Sequence, residues 1–194
     1  MKLYLIRHGE STANEEHKHA GWQQVSLSEK GRADALRAGT LLRGISFDRV
    51  YVSDLVRAKE TMELALPGAN GIETPLLREI HVGDLSGKTA AECTELYGDR
   101  YLDGKALHDF TSFGGENAQM HLDRIRAFVR MLEEDPQPAV AAFCHEGSIR
   151  WMLAISQGSC RSDRSIRLDN GSVSVFEYTD GKWVNRIWNQ TADA

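Results

Sequence analysis

The sequence is short of cysteine, of positive charge and of long apolar runs, and each shortage removes a class of protein. Its cysteines, Cys93, Cys144 and Cys160, are odd in number, far apart and in no C-x-x-C pair. A disulfide framework and a zinc site both need ordered pairs, so neither is expected. Lys and Arg number 23 against 28 Asp and Glu, for a formal net charge of -5. The molecule as a whole does not attract polyanions, so a broad nucleic-acid surface is not expected, and local arginines must overcome the global field if a phosphate is bound. No apolar run is long enough to span a membrane. A signal peptide is not expected either, because Lys2 precedes only a short strand-like run that stops at Arg7. The expected location is the cytoplasm. Internal repeats and low-complexity tracts are also missing.

What is present is a globular composition. The 194 residues are 41% hydrophobic and 26% charged, enough for one domain spanning 1–194 with a sizeable core. Residues 2–6, 49–52 and 139–144 are short apolar runs rich in strand formers, and residues 72–74 suggest a further short strand. The first three runs lead through loop signals into helical periodicity. Ser28 is placed to cap a helix running to about residue 43, and residues 54–66 follow the second strand as another. Thr89-Ala90-Ala91-Glu92 is a capping box. Residues 116–134 carry Ile125, Phe128, Val129 and Leu132 at core spacing before Pro136 and Pro138, and residues 148–157 follow the third strand. Strands alternating with helices imply an α/β fold with a mainly parallel sheet. Residues 173–178 and 183–188 flank Asp180-Gly181, a tight-turn pair that predicts an antiparallel C-terminal edge. That exposed edge offers a contact for a homodimer. Residues 97–115 are Gly-rich and read as an irregular lid segment.

In open α/β sheets ligands sit beyond the carboxyl ends of the strands. Arg7, His8, Gly9 and Glu10 follow the first strand, Ser53, Asp54 and then Arg57 the second, and His145, Glu146 and Gly147 the third. Two histidines and two arginines thus converge on one edge, a set suited to phosphate monoesters. Arginine supplies permanently charged planar donors to phosphoryl oxygens. A neutral imidazole is a competent nucleophile, and nearby arginines keep His8 neutral. Gly9 would let backbone amides approach the anion. Glu79, in Leu77-Arg78-Glu79-Ile80, is the candidate acid, since a carboxyl beside a phosphate dianion gains proton affinity.

Each residue has a plainer reading by itself. Arg57 alone is a solvated helix residue, Glu79 a surface carboxylate or a partner for Arg78, Asn14 a turn cap and Glu116 a helix start. His17, His19, His81, His108 and His121 lack a metal-ligand pattern and are expected on the surface or the lid. Trp151, Trp183 and Trp188 are expected in the core.

Taken in order, the motifs resemble the histidine phosphatase superfamily, also called the phosphoglycerate-mutase-like family. They are Leu5-Ile6-Arg7-His8-Gly9-Glu10 with Asn14, Ser53-Asp54-Leu55-Val56-Arg57-Ala58 with Thr61, Leu77-Arg78-Glu79 with Gly83-Asp84 and Gly87, Gly114-Gly115-Glu116, and His145-Glu146-Gly147 with Ile149-Arg150. The resemblance implies a three-layer α/β/α sandwich with a lid, and a reaction through phosphohistidine at His8 without metal or other cofactor. It implies that Arg7, Arg57 and His145 hold the phosphate with help from Asn14, and that Glu79 is acid and then base. Gly9, Gln24, Glu146 and Gly147 fall where the family lines its substrate site. The chain departs from the family at Glu146, where a Gly is frequent, at Gln24-Val25-Ser26-Leu27-Ser28 and at Leu85-Ser86-Gly87. Its length and the Glu79 region are similar to the phosphatase branch that includes α-ribazole phosphatase and broad-specificity phosphatases. The implied partner is a small-molecule phosphate monoester.

Three other readings stand beside this one. Cys144-His145-Glu146-Gly147-Ser148-Ile149-Arg150 fits C-x₂-G-x₂-R, the phosphate loop of cysteine-dependent phosphatases, with Cys144 as nucleophile and Arg150 as clamp. That reading leaves Arg7-His8-Gly9 and Ser53 to Arg57 unexplained. A phosphoglycerate-type mutase would keep the same residues and return the phosphoryl group to a second hydroxyl. A phospho-ligand binding module would need neither His8 nor Glu79.

Overall fold

The computed structural model describes residues 1–192. Its strands are β1 (Lys2–Arg7), β2 (Arg49–Ser53), β3 (Ile72–Thr74), β4 (Ala139–Cys144), β5 (Val173–Thr179) and β6 (Lys182–Gln190). They form one sheet in the order β3-β2-β4-β1-β5-β6. The first four in that order pair in parallel, and β5 and β6 add an antiparallel hairpin beside β1. Asp180 and Gly181 join the hairpin with φ of 51° and 73°, the two positive values of a type I′ turn.

The helices are α1 (Thr12–Glu15), α2 (Glu29–Leu42), α3 (Val56–Ala65), α4 (Ala90–Tyr97), α5 (Asp99–Leu107), α6 (Ala118–Glu134) and α7 (Glu146–Ser156). The central strand β4 is apolar at every position, as a strand covered on both faces must be. Val140, Ala142 and Cys144 pack with Ile125, Phe128 and Leu132 of α6 and Ile149 and Met152 of α7. Ala141 and Phe143 pack with Ala38 and Leu42 of α2 and Ala58 and Met62 of α3. The α/β/α sandwich follows from this alternation. Among the described residues no helix is long and apolar enough to cross a membrane.

Two caps form as the sequence indicates. Ser28 accepts from the Gly31 amide at the start of α2, and Thr89 and Glu92 close a reciprocal box on α4. Three helix starts differ from expectation. α3 begins at Val56, because Asp54 and Leu55 carry the chain out of the strand. α6 begins at Ala118, with Asn117 accepting from the Met120 amide, so Glu116 lies outside the helix. α7 begins at Glu146 with His145 at its cap position.

Residues 97–115 are not irregular. They hold α5, and Tyr101, Phe110 and Phe113 are buried against Ile80, Val82, Leu85 and Cys93 in a small core of their own. Gly98 and Gly114 take positive φ at element ends, so these glycines punctuate structure and do not dissolve it.

Candidate active site

Strand order brings the site together. β1 and β4 are neighbours with Arg7 opposite Cys144, so His8 and His145 leave the sheet side by side. Their ring centroids are 5.1 Å apart. β2 flanks β4 on its other edge, and its last residue, Ser53, meets His145 Nε2 at 2.9 Å. His145 is fully buried and its Nδ1 has no protein partner.

His8 Nδ1 lies 2.6 Å from the Gly9 carbonyl. A carbonyl only accepts, so Nδ1 carries the ring proton and Nε2 the free lone pair. Burial and the charges of Arg57 and Arg7 push His8 well below the ordinary histidine range. Burial, then Arg57, does the same to His145. Both rings are neutral at pH 7.

The arginines are anchored through their backs. Arg57 is buried and donates to the carbonyls of Gln23, at 3.1 Å, and Gly21, at 2.9 Å. Burial lowers its proton affinity to about 10, so it remains charged. Arg7 donates through one terminal nitrogen to the Leu168 carbonyl, while the other is 3.6 Å from Glu146. Its Nε is buried and without a partner. Glu146 is shared with Arg150 at 3.4 Å and Arg167 at 4.0 Å, so the departure at position 146 puts a carboxylate in the pocket wall and neutralises it with arginine.

Glu79 reaches the same pocket from the stretch after β3. Its carboxylate accepts from the Ile80 amide at 2.9 Å and from the Gly147 amide at 3.1 Å. The second contact is the N-terminal turn of α7, where the helix favours negative charge. Burial alone would raise its proton affinity, but His121, Arg150 and the two amides hold Glu79 at about 2. Its backbone is fixed by Trp22 Nε1, which donates to the Glu79 carbonyl at 2.7 Å, and by Arg124. Arg78 pairs with Asp54 and not with Glu79, tying the acid's segment to the end of β2.

These groups surround a cavity of about 200 Å³, lined by Arg7, His8, Asn14, Arg57, Glu79 and Glu146 and extended by Lys18 and His19. A larger groove of about 980 Å³ lies at the far end of α2 and α3, around the starts of β2 and β3, and holds none of these groups. Among the described residues no group of three or more His, Cys, Asp or Glu side chains is placed to hold a metal ion.

Several expectations are corrected. Gln24 is exposed and accepts from the Val56 amide at 2.9 Å, so it serves the start of α3 and stays out of the pocket. Gly9 does not turn its amide to the cavity. Its N–H donates to Thr61 Oγ1 at 3.0 Å, and a Cβ there would sit 2.1 Å from the Gly31 carbonyl oxygen, so the glycine allows α2 to close on the loop. Asn14 caps α1 through Oδ1, which accepts from Ser11, leaving its NH₂ for the cavity it lines. Glu116 starts no helix but forms a 2.7 Å pair with Arg124. His121, expected at the surface or on the lid, is fully buried beside Glu79. The only signal for it was a polar residue heading the apolar stripe of α6. Trp151 and Trp183 are buried, and Trp188 packs half-buried against the same core. Cys144 is sealed at the end of β4 and burial raises its thiol, so it is not poised as a nucleophile.

Known proteins share this fold. The chain is similar over nearly its whole length to the α-ribazole phosphatase of Shigella flexneri, at 27% identity and a TM-score of 0.90, covering 98% of this chain and 96% of that one. A mycobacterial glucosyl-3-phosphoglycerate phosphatase aligns at 25% identity and a TM-score of 0.83, covering 97% and 98%. The 2,3-bisphosphoglycerate-dependent phosphoglycerate mutase of Streptococcus gordonii is 44% identical over 109 residues, 53% of this chain and 47% of that protein. The match thus spans about half the length of such curated relatives. The profile of the histidine phosphatase superfamily (branch 1) matches residues 3–191, which include all six strands but for Lys2 and all the residues that line the pocket, and the chain therefore belongs to that superfamily.

Proposed function

We propose that the chain is a metal-independent phosphomonoesterase acting on a small phosphorylated metabolite. The observation that carries this reading is the fixed tautomer of His8, with Nε2 free among Arg7, Arg57 and His145 and with Glu79 in the same cavity. In the first step the His8 Nε2 lone pair forms a bond to phosphorus. The ester bond breaks, and the leaving oxygen takes a proton from Glu79. In the second step the Glu79 carboxylate takes a proton from water, the water oxygen bonds to phosphorus, and the bond to His8 breaks.

The electrostatics suit this sequence. At an effective dielectric near 20, one cation about 4 Å from one oxyanion charge is worth roughly 4 kcal/mol before desolvation. Arg7 and Arg57 are already desolvated and anchored, so no reorganisation is needed when phosphoryl charge develops. The ionised Glu79 of the free site gains proton affinity when a phosphoryl group enters, which supplies the acid form only once substrate is bound.

Solved relatives that match nearly the whole chain are phosphatases, which favours hydrolysis over transfer. A phosphoglycerate-type mutase is the second reading, supported by the 44% identity to a mutase over half the chain. The test is release of inorganic phosphate from p-nitrophenyl phosphate and natural monoesters in EDTA, for wild type, His8→Ala and Cys144→Ser. Phosphate release by wild type and Cys144→Ser but not by His8→Ala is expected. Transfer to a second hydroxyl without free phosphate would establish the mutase, and loss of activity only in Cys144→Ser would overturn the His8 mechanism.

A further inference from the structure

Arg57 and Glu79 stand on different elements, α3 and the stretch after β3, yet a phosphate clamp and an acid must keep a fixed separation to work together. The segment Ala20-Gly21-Trp22-Gln23 touches both. It is a tight turn, closed by the Gln23 amide donating to the Ala20 carbonyl at 2.9 Å. Gly21 takes a φ of 48°, and a Cβ on it would lie 2.7 Å from the Val82 side chain, so the turn sits directly on the stretch that follows Glu79. The carbonyls of Gly21 and Gln23 accept from the two terminal nitrogens of Arg57, at 2.9 Å and 3.1 Å. The side chain between them goes to the acid. Trp22 Nε1 donates to the Glu79 carbonyl at 2.7 Å.

The indole is half-buried and held by the neighbours of Glu79. The Arg78 guanidinium lies 4.4 Å from its ring centroid, and His81 meets it at 4.5 Å between centroids and 60° between planes. Arg78 is itself tied to Asp54 at the end of β2, at 2.7 Å. An indole is rigid and only donates, so a ring held in this way fixes where the Glu79 carbonyl stands. Arg124 also reaches that carbonyl, at 3.2 Å, but it comes from α6 and divides its donors among Leu76, Arg78 and Glu116. Of the two donors, Trp22 is the one whose own chain neighbours hold Arg57.

We propose that Trp22 is a positioning residue that sets the reach of Glu79 toward a phosphoryl group held by Arg57. It stands outside the cavity lining and acts through the main chain of the acid. The inference rests on the reading of Glu79 as acid. Without the Nε1 donor the Glu79 backbone can slip, and its carboxyl loses alignment with the leaving oxygen. Arg57 keeps its place, because the carbonyls that hold it belong to the main chain of the turn. The loss therefore falls on substrates that need the acid.

The test compares wild type with Trp22→Phe, which keeps a ring beneath Arg78 and removes the donor. kcat/KM is measured on an alkyl phosphate, whose leaving oxygen needs a proton, and on p-nitrophenyl phosphate, whose leaving group departs with little help from an acid. Inhibition by inorganic phosphate reports on the Arg57 clamp. The variant should lose about tenfold on the alkyl ester and less than about twofold on the nitrophenyl ester, with phosphate inhibition unchanged. Equal losses on both esters, no loss on either, or weaker phosphate inhibition would make Trp22 a packing residue or a support of the clamp, and the proposal fails. Where Trp22→Phe does not fold, site-specific replacement of Trp22 by benzothienylalanine, which matches the indole in shape and lacks the N–H, decides on the same readouts. Glu79→Gln is the control and should show the same contrast more strongly. If it lowers both esters alike, Glu79 is not the acid and the inference falls with that reading. If Glu79→Gln discriminates between the esters and the Trp22 variant does not, Glu79 keeps its role and the inference alone falls.

Discussion

Gly147 has no room for a methyl group. A Cβ on it would lie 2.2 Å from Glu79 Oε1, while its amide donates to the other carboxylate oxygen. The glycine therefore sets how closely the candidate acid approaches the start of α7. Gly147→Ala should push Glu79 aside by an ångström or more, and misplacement on that scale costs about 10²-fold in rate. The expected result is a loss of that order in kcat, with thermal unfolding little changed because α7 still forms. A variant with unaltered kcat would show that the carboxylate position does not matter. At the same scale, His8, Arg57 and His145 owe their states to neighbours distant in sequence. Gly21 and Gln23 orient Arg57, and Ser53 orients His145.

Among the elements, α6 does more than cover the sheet. Arg124 on its first turns donates to the carbonyls of Leu76, Arg78 and Glu79 and pairs with the buried Glu116. It thus fixes the loop that carries Glu79, which has little regular structure of its own. Arg124→Met would leave Glu116 buried without its cation and three carbonyls short of a donor. Breaking a buried pair in this way costs about 3–5 kcal/mol. Denaturant unfolding should show a loss in that range, and hydrogen exchange should quicken across residues 75–81 before it does in β4. A loss under about 1 kcal/mol would mean that the pair is solvated and the loop held by other contacts.

For the molecule as a whole, the buried histidines couple the site to stability. Burial, the largest cause at each, lowers His8 and His145 well below 6.5, His108 to about 4 and His121 to about 3. In the unfolded chain they titrate near 6.5, so below that pH the unfolded state binds more protons. Stability should be full above about pH 6.5 and fall as pH drops toward the folded-state values, by up to about 1.4 kcal/mol per pH unit for each histidine. Between about pH 6.5 and 5 the carboxylates contribute little, so the histidines can be read there alone. Denaturation midpoints at pH 8 and pH 5.5 check this, and equal midpoints would rule it out.

Much of this was legible in the sequence. The apolar runs at β1, β2 and β4 state their strands, because a strand covered on both faces cannot alternate with polar residues. Ser28, Thr89 and Asp180-Gly181 state their caps and turn through local hydrogen bonds and φ, which need no distant partner. The order of the motifs also marked Arg7, His8, Arg57, Glu79 and His145, and all five converge. Long-range contacts decided the rest. Gln24 looked like a pocket residue until the start of α3 took its side chain. Gly9 looked like an amide for the anion until Thr61 and Gly31 claimed its surroundings. Residues 97–115 read as irregular because the partners that bury Tyr101, Phe110 and Phe113 lie in another segment. His121 could not be told from a surface histidine, since burial is a property of the packed α6 and α7 layer. Local chemistry names the groups that can act, and only the strand order and helix packing determine which of them share a pocket and what protonation state they hold there.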